Sequence, residues 1–341
     1  MEGLVCLSGE NPELSVGELK GALKALDGKI RIEERIDPVV LLSGPPPRGL
    51  AERMGYCYFA GTVAVKAPAD IDPILEGVSA LLRNHPVEGS ISFRVKSRNP
   101  SPDLSSGRIF KRIEEMIGGG RWRMRHRDPD SRFFVTVNDQ AFIGWIDGET
   151  DRSGMLKRRG SHMPFQRPVV MDPRLARAMV NLSGLSPGST FLDPFMGPGG
   201  LIIEGGELGL KGIGIERDPA IFRGALQNIR ETGHASGINA ILGDSRKIGC
   251  DPDLPDLSGI DGIITDPPFG RSAGTMGVDP DRLLHDVLGA TRKYLKKGSP
   301  LVLDAGDPEK IRNISGFRLE SQYSVRVHKS LTRYVALLLK R

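Results

Sequence analysis

The sequence places an acid at the end of each of four successive apolar runs. Thr190-Phe-Leu leads into Asp193-Pro-Phe-Met-Gly-Pro-Gly-Gly200. Gly212 to Glu216 ends on the acid itself. Asn239 to Leu242 is followed by Gly243-Asp244. Ile260 to Thr265 runs into Asp266-Pro-Pro-Phe269. One acid in such a place is usually a solvated loop residue or a helix cap. Four in register imply a shared ligand edge, because open α/β sheets bind ligands beyond the carboxyl ends of their strands.

The chemistry of that edge follows from its charge. A nicotinamide or flavin nucleotide wants Gly-x-Gly-x-x-Gly and a helix N-terminus open to pyrophosphate. Here the Gly-rich turn is preceded by Asp193 and followed by no basic or hydroxyl grip. A carboxylate-rich pocket repels phosphate and suits a cationic, hydroxyl-bearing ligand. S-adenosylmethionine has a sulfonium, an ammonium, a ribose diol and an adenine. Glu216 is expected on the ribose and Asp244 on the adenine amine. Asp193 and the backbone of Gly197 to Gly199 are expected at the methionine end, and Phe195 is a further cofactor-binding candidate. Glycine permits the tight turn and the close backbone approach.

Asp266-Pro-Pro-Phe269 has its own logic. Two prolines after an acid lock an extended turn. The Asp266 carboxylate and the Pro267 carbonyl then form two fixed acceptors for a planar exocyclic amine. Phe269 offers a face on which a base can stack. Held so, the amine lone pair faces a sulfonium methyl, and alignment supplies much of the rate.

These residues need a particular scaffold. Strands at 190–193, 212–216, 239–242, 260–265 and 300–304 alternate with helices at 173–182, 200–208, 219–231 and 280–295. That alternation predicts a parallel, doubly wound sheet. Two last runs, 317–327 and 333–339, predict an antiparallel pair at one edge. The first half differs. Ile91-Ser-Phe-Arg-Val-Lys-Ser-Arg98 alternates strictly, with Arg94, Lys96 and Arg98 on one face. Arg121-Trp-Arg-Met-Arg125 alternates again. Residues 91–132 hold eleven basic and five acidic side chains, more than the whole chain's net charge of +5. Basic strands beside a helix with Arg108, Lys111 and Arg112 suit a phosphate backbone.

The two chemical motifs together resemble the THUMP-domain tRNA guanine-N2 methyltransferases, the archaeal enzymes of guanosine 10 above all. Pro168-x-x-Met-Asp-Pro-Arg-Leu-Ala-Arg-Ala-Met-Val-Asn-Leu182 is similar to that family's lead-in helix, and His328-Lys-Ser-Leu-Thr-Arg333 to its late loop. The resemblance is carried by residues 164–339 and, before them, by element order and Phe93 to Arg98. It implies an α/β fold, a Rossmann-like class I methyltransferase domain preceded by an α+β ferredoxin-like plus THUMP module. The expected division is 1–147 for tRNA binding, 148–167 as linker and 168–341 for S-adenosylmethionine-dependent transfer. Asp266, Pro267 and Phe269 fall on the family's catalytic motif. Arg94, Lys96, Arg98, Arg121, Arg123, Arg125, His328, Lys329 and Arg333 are the tRNA-contact candidates. Two positions depart from the family pattern. Met196-Gly-Pro-Gly stands where Cys-Gly-Thr-Gly is usual, and Phe269 where Tyr is common. Some relatives use a small activator subunit; these residues do not indicate one.

Composition narrows the remaining choices. With 341 residues, two or three domains are expected, with ample length for a core. No apolar run reaches membrane-spanning length. The N-terminus lacks a basic region followed by an apolar one, so a signal peptide is not expected. The three cysteines, Cys6, Cys57 and Cys250, show no metal-ligand spacing. They read as small buried hydrophobes of a cytoplasmic protein. A DNA adenine-N6 methyltransferase would use the same amine logic but would want groove-reading helices. A silent RNA-binding protein would have no need of the intact acids.

Overall fold

The computed structural model describes residues 1–85, 89–118, 122–167, 170–233, 237–268, 279–312, 314–328 and 331–341. In chain order its elements begin with β1 (Glu2–Leu7), α1 (Pro12–Leu26), β2 (Ile32–Ile36), β3 (Val39–Leu42), α2 (Leu50–Arg53) and β4 (Cys57–Pro68). Then come α3 (Ile71–Asn84), β5 (Ser90–Ser97), α4 (Ser106–Ile117), β6 (Arg123–Met124), β7 (Ser131–Val137) and β8 (Gln140–Glu149). The rest are α5 (Arg152–Lys157), α6 (Pro173–Leu182), β9 (Thr190–Asp193), α7 (Gly200–Glu207), β10 (Lys211–Glu216) and α8 (Pro219–Glu231). They continue with β11 (Ile238–Leu242), β12 (Gly262–Thr265), α9 (Pro280–Thr291), β13 (Pro300–Ala305), α10 (Pro308–Arg312), β14 (Phe317–His328) and β15 (Leu331–Lys340).

The chain forms two compact units. One comprises Met1–Gly9, Lys29–Glu52 and Cys57–Thr150. The other comprises Glu10–Gly28, Arg53–Tyr56 and Asp151–Arg341. In the first, the described strands make a sheet in the order β2-β3-β1-β4-β8-β7-β5-β6. Ile91 and Phe93 of β5 are buried with Ile109 and Ile113 of α4 and Val78 and Leu82 of α3. The intervening Arg94, Lys96 and Arg98 are exposed, so the period-two pattern is realised as one covered and one open face.

The second unit contains a sheet in the order β11-β10-β9-β12-β13-β15-β14. The first five strands are parallel, while β15 runs antiparallel to β13 and β14. The predicted terminal pair therefore lies at one edge. Alternate residues of each strand feed two cores. Phe191, Ile264, Val302 and Val335 pack with α6, α7 and α8. Leu192, Ile263, Leu301, Leu303 and Ala336 pack with α9 and α10. That is the doubly wound, three-layer arrangement with strands buried on both faces.

Two early segments of the chain belong to this second unit. Glu18 of α1 is fully buried and accepts the N–H groups of Gly55 (2.6 Å) and Tyr56 (3.0 Å) and the Asn181 amide (2.9 Å). Gly21 lets α1 lie directly on the carbonyl of Asn181 in α6; a Cβ there would fall 1.9 Å from that oxygen. The stretch expected as a linker, 148–167, carries α5, capped by the Asp151 carboxylate, which accepts the Gly154 N–H (2.9 Å). Met155 and Met163 are buried. Arg158 reaches Glu204 at 2.7 Å. Cys6 and Cys57 are buried as expected, but Cys250 is exposed. Ile248 and Leu254 on either side of it turn inward, which leaves the thiol outside. Among the described residues no helix is long and apolar enough to cross a membrane.

Candidate functional site

The order of the sheet reverses at β9. From there the chain proceeds outward to β10 and β11, then returns to β12 on the other side. The ends of β9 and β12 therefore flank the switch point, where an open sheet binds its ligand. Asp193 ends β9 and Asp266 follows β12, so topology brings the first and last of the predicted acids together.

Asp193 is buried, and its carboxylate accepts the Thr265 hydroxyl (2.8 Å) and the Phe195 N–H (3.1 Å). Burial pushes its pKa up to about 7, helped by the neighbouring Asp266 and Glu216 charges. The unfolded carboxyl ionises near 3.8, so ionisation costs the folded state stability as pH rises from about 4 to 7. Asp193→Asn removes that cost. Its unfolding free energy is expected to exceed that of the parent by about 4 kcal/mol at pH 8 and to match it near pH 4. Denaturant titrations at the two pH values check this.

Past Asp193 the chain turns through Gly197 (φ 53°) and Gly199 (φ 94°) before entering α7. Side chains rarely tolerate those angles, so both glycines are needed for the turn. Phe195 is half-buried beside it. Glu216, at the end of β10, accepts the N–H of Gly197 (3.1 Å) and of Asp218 (2.7 Å). It ties the turn to the adjacent strand end. Asp244, beyond β11, holds Arg246 through both carboxylate oxygens (Nη2 at 2.5 Å), which keeps its pKa below the usual range.

Asn228 was not among the predicted residues. It is buried on α8, accepts the Phe165 N–H (2.9 Å) and donates to the carbonyls of Phe165 and Pro198 (3.1 Å each). One turn earlier, Gly224 lies flat against the Phe165 ring, where a Cβ would fall 2.2 Å from the ring. Positions 224 and 228 share one helix face. Together they pin residues 163–167 behind the Gly-rich turn. Pro198 gives up a donor, but its carbonyl is anchored. A small solvent-open cleft lies there, lined by Phe165, Pro198, Gly200, Glu204 and Asn228; none of the predicted cofactor residues lines it. Asn228→Ala orphans three backbone groups. It is expected to weaken binding of the ligand that the glycine turn admits about tenfold, or 1.4 kcal/mol, with little change in turnover at saturation. Calorimetry and initial rates separate the two.

Asp266 keeps 26 % of its side chain exposed and accepts Nη1 of Arg333 through both oxygens at 3.0 Å. Pro267 behind it is buried. Phe269 lies outside the described residues. Of the expected tRNA contacts, Arg94, Lys96, Arg98, Arg123 and Arg125 are exposed in the first unit. Arg94 and Arg132 share Glu149, and Lys96 stacks over the Tyr58 ring (4.2 Å). Arg121 and Lys329 are outside the described residues, and the His328 side chain is likewise not described. Arg333 departs from its expected surface position: it is buried between Asp266 and Asp304. Asp304 is a fifth acid at the same sheet edge. Its place at the end of a fifth parallel strand was the signal that sequence reasoning left unused. Among the described residues no group of three His, Cys, Asp or Glu side chains is set to hold a metal ion.

The second unit thus combines a seven-stranded sheet with one reversed strand, a glycine turn after its first strand and Asp-Pro-Pro after its fourth. The chain matches the model of the RMKL-like methyltransferase domain over residues 161–335 and belongs to that family. It is 28% identical to the tRNA (guanine(10)-N2)-dimethyltransferase of Methanothermobacter thermautotrophicus, over 99% of both chains. It is 29% identical to the protein of the same name from Pyrococcus abyssi, over 95% of both. Its fold resembles that of TrmN from Thermus thermophilus (TM-score 0.61, 20% identity, all of both chains covered).

Proposed function

We propose that this protein methylates the exocyclic N2 amine of guanine in tRNA, at guanosine 10, using S-adenosylmethionine. The observation that carries this reading is Asp266-Pro267-Pro268 at the switch point, beside the acid and glycine turn that end the neighbouring strand. The nucleobase and its position follow from the names of relatives that span nearly the whole chain.

The residues present fit the donor. Asp193, Glu216 and Asp244 make the edge acidic, which suits an ammonium, a sulfonium and a ribose diol, and the Gly197 to Gly199 turn admits close backbone approach. When bound, S-adenosylmethionine supplies a methyl group on a positively charged sulfur. Asp266 accepts one amine hydrogen and the Pro267 carbonyl the other, so the nitrogen lone pair is aimed rather than free. The amine proton that must leave as the N–CH₃ bond forms is already directed at Asp266. The exposed row Arg94, Lys96 and Arg98, with Arg123 and Arg125, serves the tRNA backbone as the ferredoxin-like and THUMP part of the enzyme. Shape and phosphate contacts suit a folded RNA.

The test is transfer of labelled methyl groups to unmodified tRNA transcripts, followed by nucleoside mass spectrometry. N2-methylguanosine or N2,N2-dimethylguanosine is expected, and is lost when guanosine 10 is replaced. Methylation of DNA adenine instead, or of no nucleic acid, overturns the reading.

A further inference from the structure

The one reversed strand of the second sheet has a geometric consequence. Parallel strands bring their C-terminal ends to the ligand edge, but β15 is antiparallel and brings its beginning there. Tyr334 pairs with Ala305, the last residue of β13, so Arg333 stands one residue beyond that strand's end. Thr265 pairs with Leu303, so Asp266 and Asp304 lie side by side on neighbouring strands. Arg333 crosses β13 to meet both. Its Nη1 contacts both oxygens of Asp266 at 3.0 Å and also Oδ2 of Asp304. Arg333 and Asp304 have side chains 5 % and 0 % exposed, whereas Asp266 is 26 % open.

We propose that Arg333 is a positioning residue for methyl transfer, which holds the Asp266 carboxylate charged and oriented toward the amine while Asp304 fixes the guanidinium from behind. The proposal rests on the reading of Asp266 as the amine acceptor. A lone carboxylate on a single-bonded side chain rotates; one whose two oxygens meet a buried guanidinium does not. Charge follows the same logic. Two carboxyls share one cation, so they titrate as a pair. Burial and the Asp266 charge push Asp304 up to about 7, while burial raises Asp266 and Arg333 draws it back down. Among the described residues, Asp193 on β9, with Glu216 beyond it, and the Tyr334 N–H on β15 also face this pair.

Removing either partner should move Asp266 in opposite directions. Arg333→Gln deletes the cation, so the acid limb of the pH–rate profile is expected to shift up by about one unit or more. Turnover on the acid limb, below both midpoints, should then fall about tenfold or more and recover as pH rises, with KM for the methyl donor little changed. Arg333→Lys restores the charge and should recover part of that loss. Asp304→Asn keeps the shape, removes the competing charge and should shift the limb down. The second readout is the ¹³C carboxyl titration of labelled aspartate, with Asp266 assigned from its loss in Asp266→Asn. Its midpoint should move with the acid limb in each variant. Arg333→Gln is informative only if it folds, but Asp304→Asn tests the inference alone. Unmoved midpoints and limbs in the folded variants overturn it. If Asp266→Ala itself retains transfer, the failure lies with the reading of Asp266 and not with Arg333.

Discussion

Asp266→Ala is expected to reduce methyl transfer by about 10²–10⁴, the range for removal of a group that positions and accepts a proton at the reacting atom. Binding of the methyl donor and of tRNA should survive. The reason lies in where Asp266 stands. It follows β12 at the sheet's reversal, and its partly open carboxylate is backed by buried Pro267. The acids of β9, β10 and β11 that suit the donor remain in place. A single-turnover assay beside calorimetry with S-adenosylhomocysteine separates the two terms. Unchanged transfer would remove Asp266 from the reaction; loss of binding as large as the loss of rate would make it a structural residue. Truncation to alanine also leaves Arg333 with Asp304 alone, so Asp266→Asn, which keeps the shape, belongs in the same experiment.

The second large effect is on stability. Glu204 of α7 is 2 % exposed and lies between two arginines. It accepts Arg158 Nε at 2.7 Å and Arg177 Nε at 2.6 Å, and Glu207 also reaches Arg158 at 3.2 Å. Arg177 is 5 % exposed. Taking away Glu204 removes the acceptor at 2.6 Å from buried Arg177 and leaves Glu207 at 3.9 Å, and breaking a buried pair costs about 3–5 kcal/mol. Glu204→Ala is therefore expected to lower the stability of the methyltransferase unit by that amount. Glu204→Gln should cost less, because it keeps an acceptor. Denaturant unfolding followed by circular dichroism measures the size, and hydrogen exchange should lose protection first in α5 and α6. A loss under 1 kcal/mol would mean that Glu207 suffices as partner.

Much of this molecule is legible along the chain, and the reason is local. A strand that alternates, as Ile91 to Arg98 does, has no other way to bury Ile91 and Phe93 than to expose Arg94, Lys96 and Arg98. A turn through Gly197 and Gly199 needs positive φ whatever surrounds it. Acids written directly after Thr190–Leu192, Ile215 and Thr265 reach the same edge because parallel strands end on the same side. Which strand neighbours which is not written locally. Arg333 sits in a polar run and reads as a surface cation. Only the antiparallel pairing of β15 with β13 carries it inward to Asp266 and Asp304. Asn228 reads as an ordinary polar residue in a helix, until residues 163–167 fold back over α8 and need their backbone groups satisfied. The helix 12–26 stands in sequence beside the strands of the first unit. Its Gly21 and Glu18 fit only α6 and the Gly55–Tyr56 turn, and so it packs with the methyltransferase unit. Periodicity within an element names the face that must be covered; the partner that covers it is decided by long-range packing, which no short stretch of sequence contains.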